Sequence, residues 1–233
     1  MLTPPRRPAA HRIWMPRLPA SRVSLREAFF LAPEHRSMRR RNVRVAALLV
    51  TVGVVGNLLL QRQANIETLL AVSLFAGIVL RRAYVVLVPI VTVLISSGLD
   101  YGVFYRGVYE PHRIAGLVAF LLSGYLFVTL VGTRVRQRTL FRTRTLVIAT
   151  TASIPLVIAW DVWTVLGEWY FISPVTPLLT KFYWQVPFTL MHLISTLIFV
   201  PLVGAGLAYF VEHVLPAGDG ATAPSQDGLE LPP

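Results

Sequence analysis

The sequence has no cysteine. Disulfide frameworks, thiolate catalysis, iron–sulfur clusters and cysteine-ligated zinc are thereby excluded, while the redox compartment is left open. Charge is also scarce, at 14% of residues against about 25% in an average soluble domain. Enzymatic signatures are missing: there is no HExxH, no paired-Glu membrane protease pattern, no P-loop and no GxSxG. Lacking a nucleotide-binding motif, the chain cannot power transport by ATP itself, and no cofactor or metal-ligand set is legible.

What is present is apolar. Hydrophobic residues make up 55% of the 233, above the 45–50% or so of soluble domains, and mean hydropathy is +0.61. The bilayer is the solvent this composition calls for, and apolar stretches separated by short polar links argue for one helical bundle. The net charge of +11 would suit a nucleic-acid binder only if the cations shared a soluble folded surface. They do not, so nucleic acid is not an expected partner.

Crossing a hydrocarbon core of ~30 Å takes about 17–25 helical residues, and segments that meet or approach this length recur six times. They are placed at 45–61, 64–80, 83–99, 114–133, 146–167 and 186–211. The second is the weakest, because only 13 residues from Thr68 to Leu80 are uncharged and Glu67 adjoins them. Pro89, Pro155 and Pro201 should mark kinks rather than breaks. The fold class expected is an all-α membrane protein, a bundle of six transmembrane helices.

Residues 1–44 are rich in Arg and Pro, with no apolar run long enough for a signal-peptide core. They read as a basic cytoplasmic tail. Within it, Arg22 to Arg44 forms either a short interfacial helix, with Leu25, Phe29 and Phe30 among membrane lipid, or a disordered segment. Met15 and Met38 offer alternative starts. Residues 212–233 read as a second disordered cytoplasmic tail, small and acidic from Pro216 onward.

Six crossings put both tails and the links at 81–82 and 134–145 on one side. That side carries 18 of the 22 cations: eleven Arg before the first helix, Arg81 and Arg82, and five in TRVRQRTLFRTRT. Arg62, Arg106, Arg113 and Lys181 fall on the other. The positive-inside rule makes the Arg-rich side cytoplasmic, with both termini inside the cell membrane, and an odd number of crossings would spoil the sorting. Aromatics agree: Tyr101, Phe104, Tyr105 and Tyr109 fill the link after the third helix, and Trp169, Tyr170, Phe171, Phe182, Tyr183 and Trp184 crowd the last link. Such residues favour the membrane interface.

Polar side chains within the membrane are costly and usually face a protein interior or an aqueous cavity. In the fifth segment Ser153, Asp161, Thr164 and Glu168 follow helical spacing, flanked by Trp160 and Trp163; in the sixth, Gln185, Thr189, His192 and Thr196 do the same. A rise of ~1.5 Å per residue puts Asp161 at ~22 Å, His192 at ~21 Å and Asn57 at ~18 Å above the cytoplasmic face. Antiparallel neighbours could thus build an outward-opening cavity. Two readings stand: Asp161 and His192 pair with each other inside the bundle, or Asp161 and the indoles of Trp160 and Trp163 hold a flat or cationic small-molecule solute. Glu67 either lines this cavity or caps its helix at the amino end; Asp100 either contacts ligand or is a solvated interfacial acid.

Small residues let membrane helices approach closely. Ala47 and Thr51, followed by Gly53 and Gly56, and Gly116, Gly124 and Gly132 at intervals of eight, serve either internal packing or a docking face for another subunit.

In this layout the chain resembles the substrate-binding S components of energy-coupling-factor (ECF) transporters, and within them a poorly characterised S-component-like family. The resemblance covers about 45–211 and rests on NIETLLAVSLFAGIVL, PIVTVLISSGLDYG, AWDVWTVLGEWY and KFYWQVPFTLMHLISTLIFVPLVGAG. Phe75, Ala76 and Gly77 match a small-residue turn pattern, Asp100 an acid ending the third helix, Trp163 a Trp in the fifth, and Tyr183, Pro187 and Phe188 the opening of the sixth. The resemblance implies a vitamin-like or metal-related nutrient bound near the outer face, and partners comprising a transmembrane T component and two cytoplasmic ATPases. The long Arg-rich tail and the absence of Ala-x-x-x-Ala in the first helix depart from that pattern. A reading of another class is a non-transporting membrane scaffold that recruits partners or anionic lipid through its basic tail and the 134–145 loop. An intramembrane enzyme using Asp161 and His192 as acid and base would lack a nucleophile.

Overall fold

The computed structural model describes residues 36–60, 68–104, 106–135 and 143–215. Residues 1–35 of the expected tail at 1–44, residues 216–233 of the expected tail at 212–233, most of the 134–145 loop, and Arg62, Glu67 and Tyr105 lie outside the described residues.

Six helices follow one another: α1 Arg36–Leu60, α2 Leu69–Val79, α3 Tyr84–Leu99, α4 Pro111–Val135, α5 Thr143–Phe171 and α6 Leu178–Tyr209. α3 and α6 each run on into a π-helical turn, at Asp100–Phe104 and Phe210–Val214. Among the described residues there is no strand. Five helices are long and apolar enough to cross a membrane, the exception being α2. The protein is a helical membrane bundle.

The difference at α2 has a physical reason. Its sequence LLAVSLFAGIV is apolar on every side, and all eleven residues are buried. A helix without a polar face belongs in a core. At ~1.5 Å per residue it spans ~16 Å, about half of a hydrocarbon core of ~30 Å. It packs against each of the other five helices, so the weakest expected span is the hub of the bundle.

Helix ends also differ from expectation. α1 begins nine residues early, because Arg is a good helix former and neither Gly nor Pro stands between 36 and 52. Its buried residues Asn42, Val45, Leu49 and Gly53 recur at helical spacing and turn one stripe inward. The aromatic link expected between the last two helices shrinks to 172–177. Trp169, Tyr170 and Phe171 end α5, while Phe182, Tyr183 and Trp184 lie in α6, since the breakers Pro174 and Pro177 fall between them. Pro89, Pro155, Pro187 and Pro201 all sit inside continuous helices.

Glycines set the helix crossings and reveal their directions. A Cβ added to Gly77 would lie 2.9 Å from Gly132 Cα, so α2 and α4 meet backbone to backbone. Gly116 receives Phe171, and Gly124 receives Trp160; the pairing descends one helix as it climbs the other, making α4 and α5 antiparallel. Internal packing therefore accounts for the eight-residue glycine repeat. Glu168 meets Lys181 and Asp161 meets His192, so α5 and α6 are antiparallel too. The Arg-bearing start of α1, the 81–83 turn, Arg134 and Arg144 consequently share one end of the bundle, opposite the 104–110 and 172–177 links.

Candidate functional site

A cavity of about 400 Å³ opens between the helices at that opposite end. This volume falls within the roughly 300–1,000 Å³ of small-molecule sites. Its floor is buried and is made by Ser96 of α3, Tyr125 of α4, and Trp160 and Asp161 of α5. Higher on the wall stand Asn57, Ser97, Thr164 and Gln185. The rim carries Asp100, Tyr101, Tyr109 and Glu168.

Each floor residue is there for a local reason. Gly124 leaves the notch into which the Trp160 indole fits, and Tyr125 lies over that indole with ring centroids 4.0 Å apart. Asp161 follows Trp160 by one residue and so turns by about 100° toward α6. There His192 Nδ1 lies 2.9 Å from Asp161 Oδ1, with both side chains buried. With Asp161 ionised, its oxygen only accepts, and Nδ1 is then the donor of this bond. Asp161 Oδ2 and Ser96 Oγ have no hydrogen-bond partner among the described residues. At the rim Lys181 Nζ donates to Glu168 Oε1 at 2.6 Å. Arg113 Nη1 reaches the carbonyl of Ile172 at 3.4 Å, tying the first turn of α4 to the 172–177 link.

Of the two readings of Asp161 and His192, the pairing is observed, and the pair's acid is also cavity wall. Trp160, Asp161, Gln185 and Asn57 line the cavity, and His192 supports it from behind. Trp163 does not belong. It stacks on Phe120 at 4.2 Å and its Nε1 donates to Phe120 O and Ser123 Oγ, on the side of α5 turned away from Asp161. Ser153 bonds back to its own helix at Thr150 O and stays below the cavity. Asp100 is part of the rim, while Glu67 lies outside the described residues. Ala47 and Thr51 are exposed along α1, and Thr51 faces an apolar groove between α1 and α6.

Ser96, Ser97 and Tyr125 are wall residues that sequence reasoning missed. Ser96, Ser97 and Asp100 share helical spacing in SSGLD, which was available as a signal; Tyr125 sits in an apolar run with none. Among the described residues no group of His, Asp and Glu is gathered to hold a metal ion.

Residues 36–217 match the model of a family described as a family of unknown function (DUF6580), and the chain belongs to that family. No curated protein and no solved structure matches it.

Proposed function

Since this family brings no activity with it, we propose from the cavity that the chain is a membrane-embedded binding subunit for uptake of a small solute. The observation that carries the reading is the convergence of Asn57, Trp160, Asp161 and Gln185 on one cavity. Ionisable groups within a membrane bundle are expensive, and they commonly mark substrate pathways. In this reading the bundle crosses the cell membrane six times, with α2 belonging to the second crossing. Both termini and the Arg-rich links are cytoplasmic, and the cavity faces outward.

The architecture would then be that of an ECF S component. The chain holds the solute, while a T component and ATPases supply the energy that it has no motif to harness. The exposed stripe of Ala47 and Thr51 on α1 would offer the small-residue docking face.

The test is to purify the full chain in mild detergent and identify small molecules and proteins that co-purify, by mass spectrometry. A bound solute whose uptake by cells falls with Asp161→Ala is expected. Absence of both a solute and an ATPase module, with uptake of every candidate solute unchanged in Asp161→Ala, would overturn the reading.

A further inference from the structure

The chemistry of the cavity wall is one-sided. Asp100, Asp161 and Glu168 contribute carboxyl groups, and no Lys, Arg or His is among its described lining residues. At the rim Lys181 pairs with Glu168. Asp161, on the floor, spends Oδ1 on His192 and keeps Oδ2 without a hydrogen-bond partner among the described residues. Ser96 Oγ, on the same floor, is likewise unpartnered there. A carboxylate oxygen can only accept and a hydroxyl oxygen can accept, so both call for a donor, and a charged N–H donor also answers the acid's charge. Buried acceptors left unpaired cost free energy, more so when one is ionised.

Ring faces add a second preference. Tyr125 and Trp160 form the floor beside Asp161, and Tyr101 and Tyr109 stand edge to face at the rim, 6.5 Å apart. The face of an aromatic ring attracts cations and accepts flat apolar groups. An anion would meet charge of its own sign. A neutral solute would bring no charge to Asp161 Oδ2, since the His192 contact is made through Oδ1.

We propose that the cavity binds a small organic cation with N–H donors on a flat apolar body, a protonated aromatic amine in its simplest form. This rests on the solute-binding reading and narrows it. The ammonium sits at Asp161 Oδ2 and Ser96 Oγ, and the flat body lies along Trp160 and Tyr125.

The test uses four probes that share a phenethyl body: phenethylammonium, phenethyltrimethylammonium, 2-phenylethanol and 3-phenylpropanoate. Binding to the purified full chain is read by calorimetry, and native mass spectrometry identifies any molecule already bound. Phenethylammonium is expected to bind more tightly than the other three. Asp161→Asn should weaken it by at least about tenfold, through loss of a charge-assisted contact. Because Asp161→Asn also touches the buried pair, Gln185→Lys supplies an independent variant that adds positive charge to the wall. It should also cost about tenfold or more, while the uncharged Gln185→Met stays within about threefold.

If 2-phenylethanol or 3-phenylpropanoate binds as tightly as the ammonium, or ammonium binding survives Gln185→Lys, the cation class is overturned and solute binding stands. Equal affinity for the trimethylated probe overturns the N–H contacts. Should no probe bind, the charge of a co-purified molecule decides: a cation with N–H groups upholds the proposal, and a neutral or anionic one refutes it. No probe bound and no molecule co-purified sinks both readings.

Discussion

His192 Nδ1 lies 2.9 Å from Asp161 Oδ1 in the buried contact between α5 and α6, so one hydrogen bond both joins two helices and orients a cavity acid. Removing His192 strands the Asp161 carboxyl group in the bundle interior. His192→Phe should destabilise the protein by about 3 kcal/mol, because an uncompensated buried carboxylate is left behind. The double variant Asp161→Leu/His192→Phe should cost less than the sum of its singles. Thermal unfolding followed by tryptophan fluorescence, run as a double-mutant cycle, measures this; additive losses would mean that the two residues do not interact.

Gly77 and Gly132 bring α2 and α4 into backbone contact. A Cβ on either meets main-chain atoms of the opposite helix, which cannot step aside as a side-chain tip can. Gly77→Ala and Gly132→Ala should each lose roughly 2 kcal/mol or more by overpacking, visible as reduced folded yield in size-exclusion chromatography. Gly98 and Gly206 have open space where a Cβ would go. Gly98→Ala and Gly206→Ala should therefore be neutral or gain about 0.5–1 kcal/mol of helix stability.

The two indoles flanking Asp161 have different duties. Trp160→Phe removes part of the cavity floor and should weaken binding of the co-purified solute severalfold. Trp163→Phe deletes the hydrogen bonds to Phe120 O and Ser123 Oγ on the far side of α5. It should lower stability by about 1 kcal/mol and leave solute affinity unchanged. Comparing affinity and melting temperature for both variants checks this division; a binding loss confined to Trp163→Phe would reverse it.

Much of this was legible in the sequence, and the rest fails for identifiable reasons. Hydropathy located the helical segments because apolar runs leave few alternatives in a bilayer. Depth counting along the helices brought Asn57 and Asp161 to one cavity and His192 to Asp161, since the rise per residue is fixed. For the flanking indoles, rotation was the neglected coordinate. Trp163 is two residues past Asp161, about 200° around the helix, and so cannot share its face. Seven residues separate Gln185 from His192, nearly two whole turns, which keeps them on one side of α6. The floor residue Tyr125 was invisible because its neighbours are apolar and its role comes from Gly124 and Trp160 on a crossing that no local pattern encodes. The ends of α5 and α6 were misjudged because aromatic residues were read as interface and therefore as link. Aromatics anchor helices at an interface as readily as loops, and only Pro174 and Pro177 interrupt the backbone there.

Orientation in the membrane can be tested with unusual economy, because a chain without cysteine needs no background thiols removed. Val175, in the α5–α6 link, is 93% exposed at the cavity end, and Arg144 is exposed at the Arg-rich end. If the uneven division of cations sets the topology, Val175→Cys should react with a membrane-impermeant maleimide added to intact cells. Arg144→Cys should react only after permeabilisation. Reversed labelling would turn the cavity toward the cytoplasm and exclude capture from outside. Labelling of both in intact cells would mean that the two ends share a side, so that α5 does not cross the membrane. Because α5 carries Trp160 and Asp161, that result would also remove the membrane from the argument that a buried carboxylate there must face a cavity.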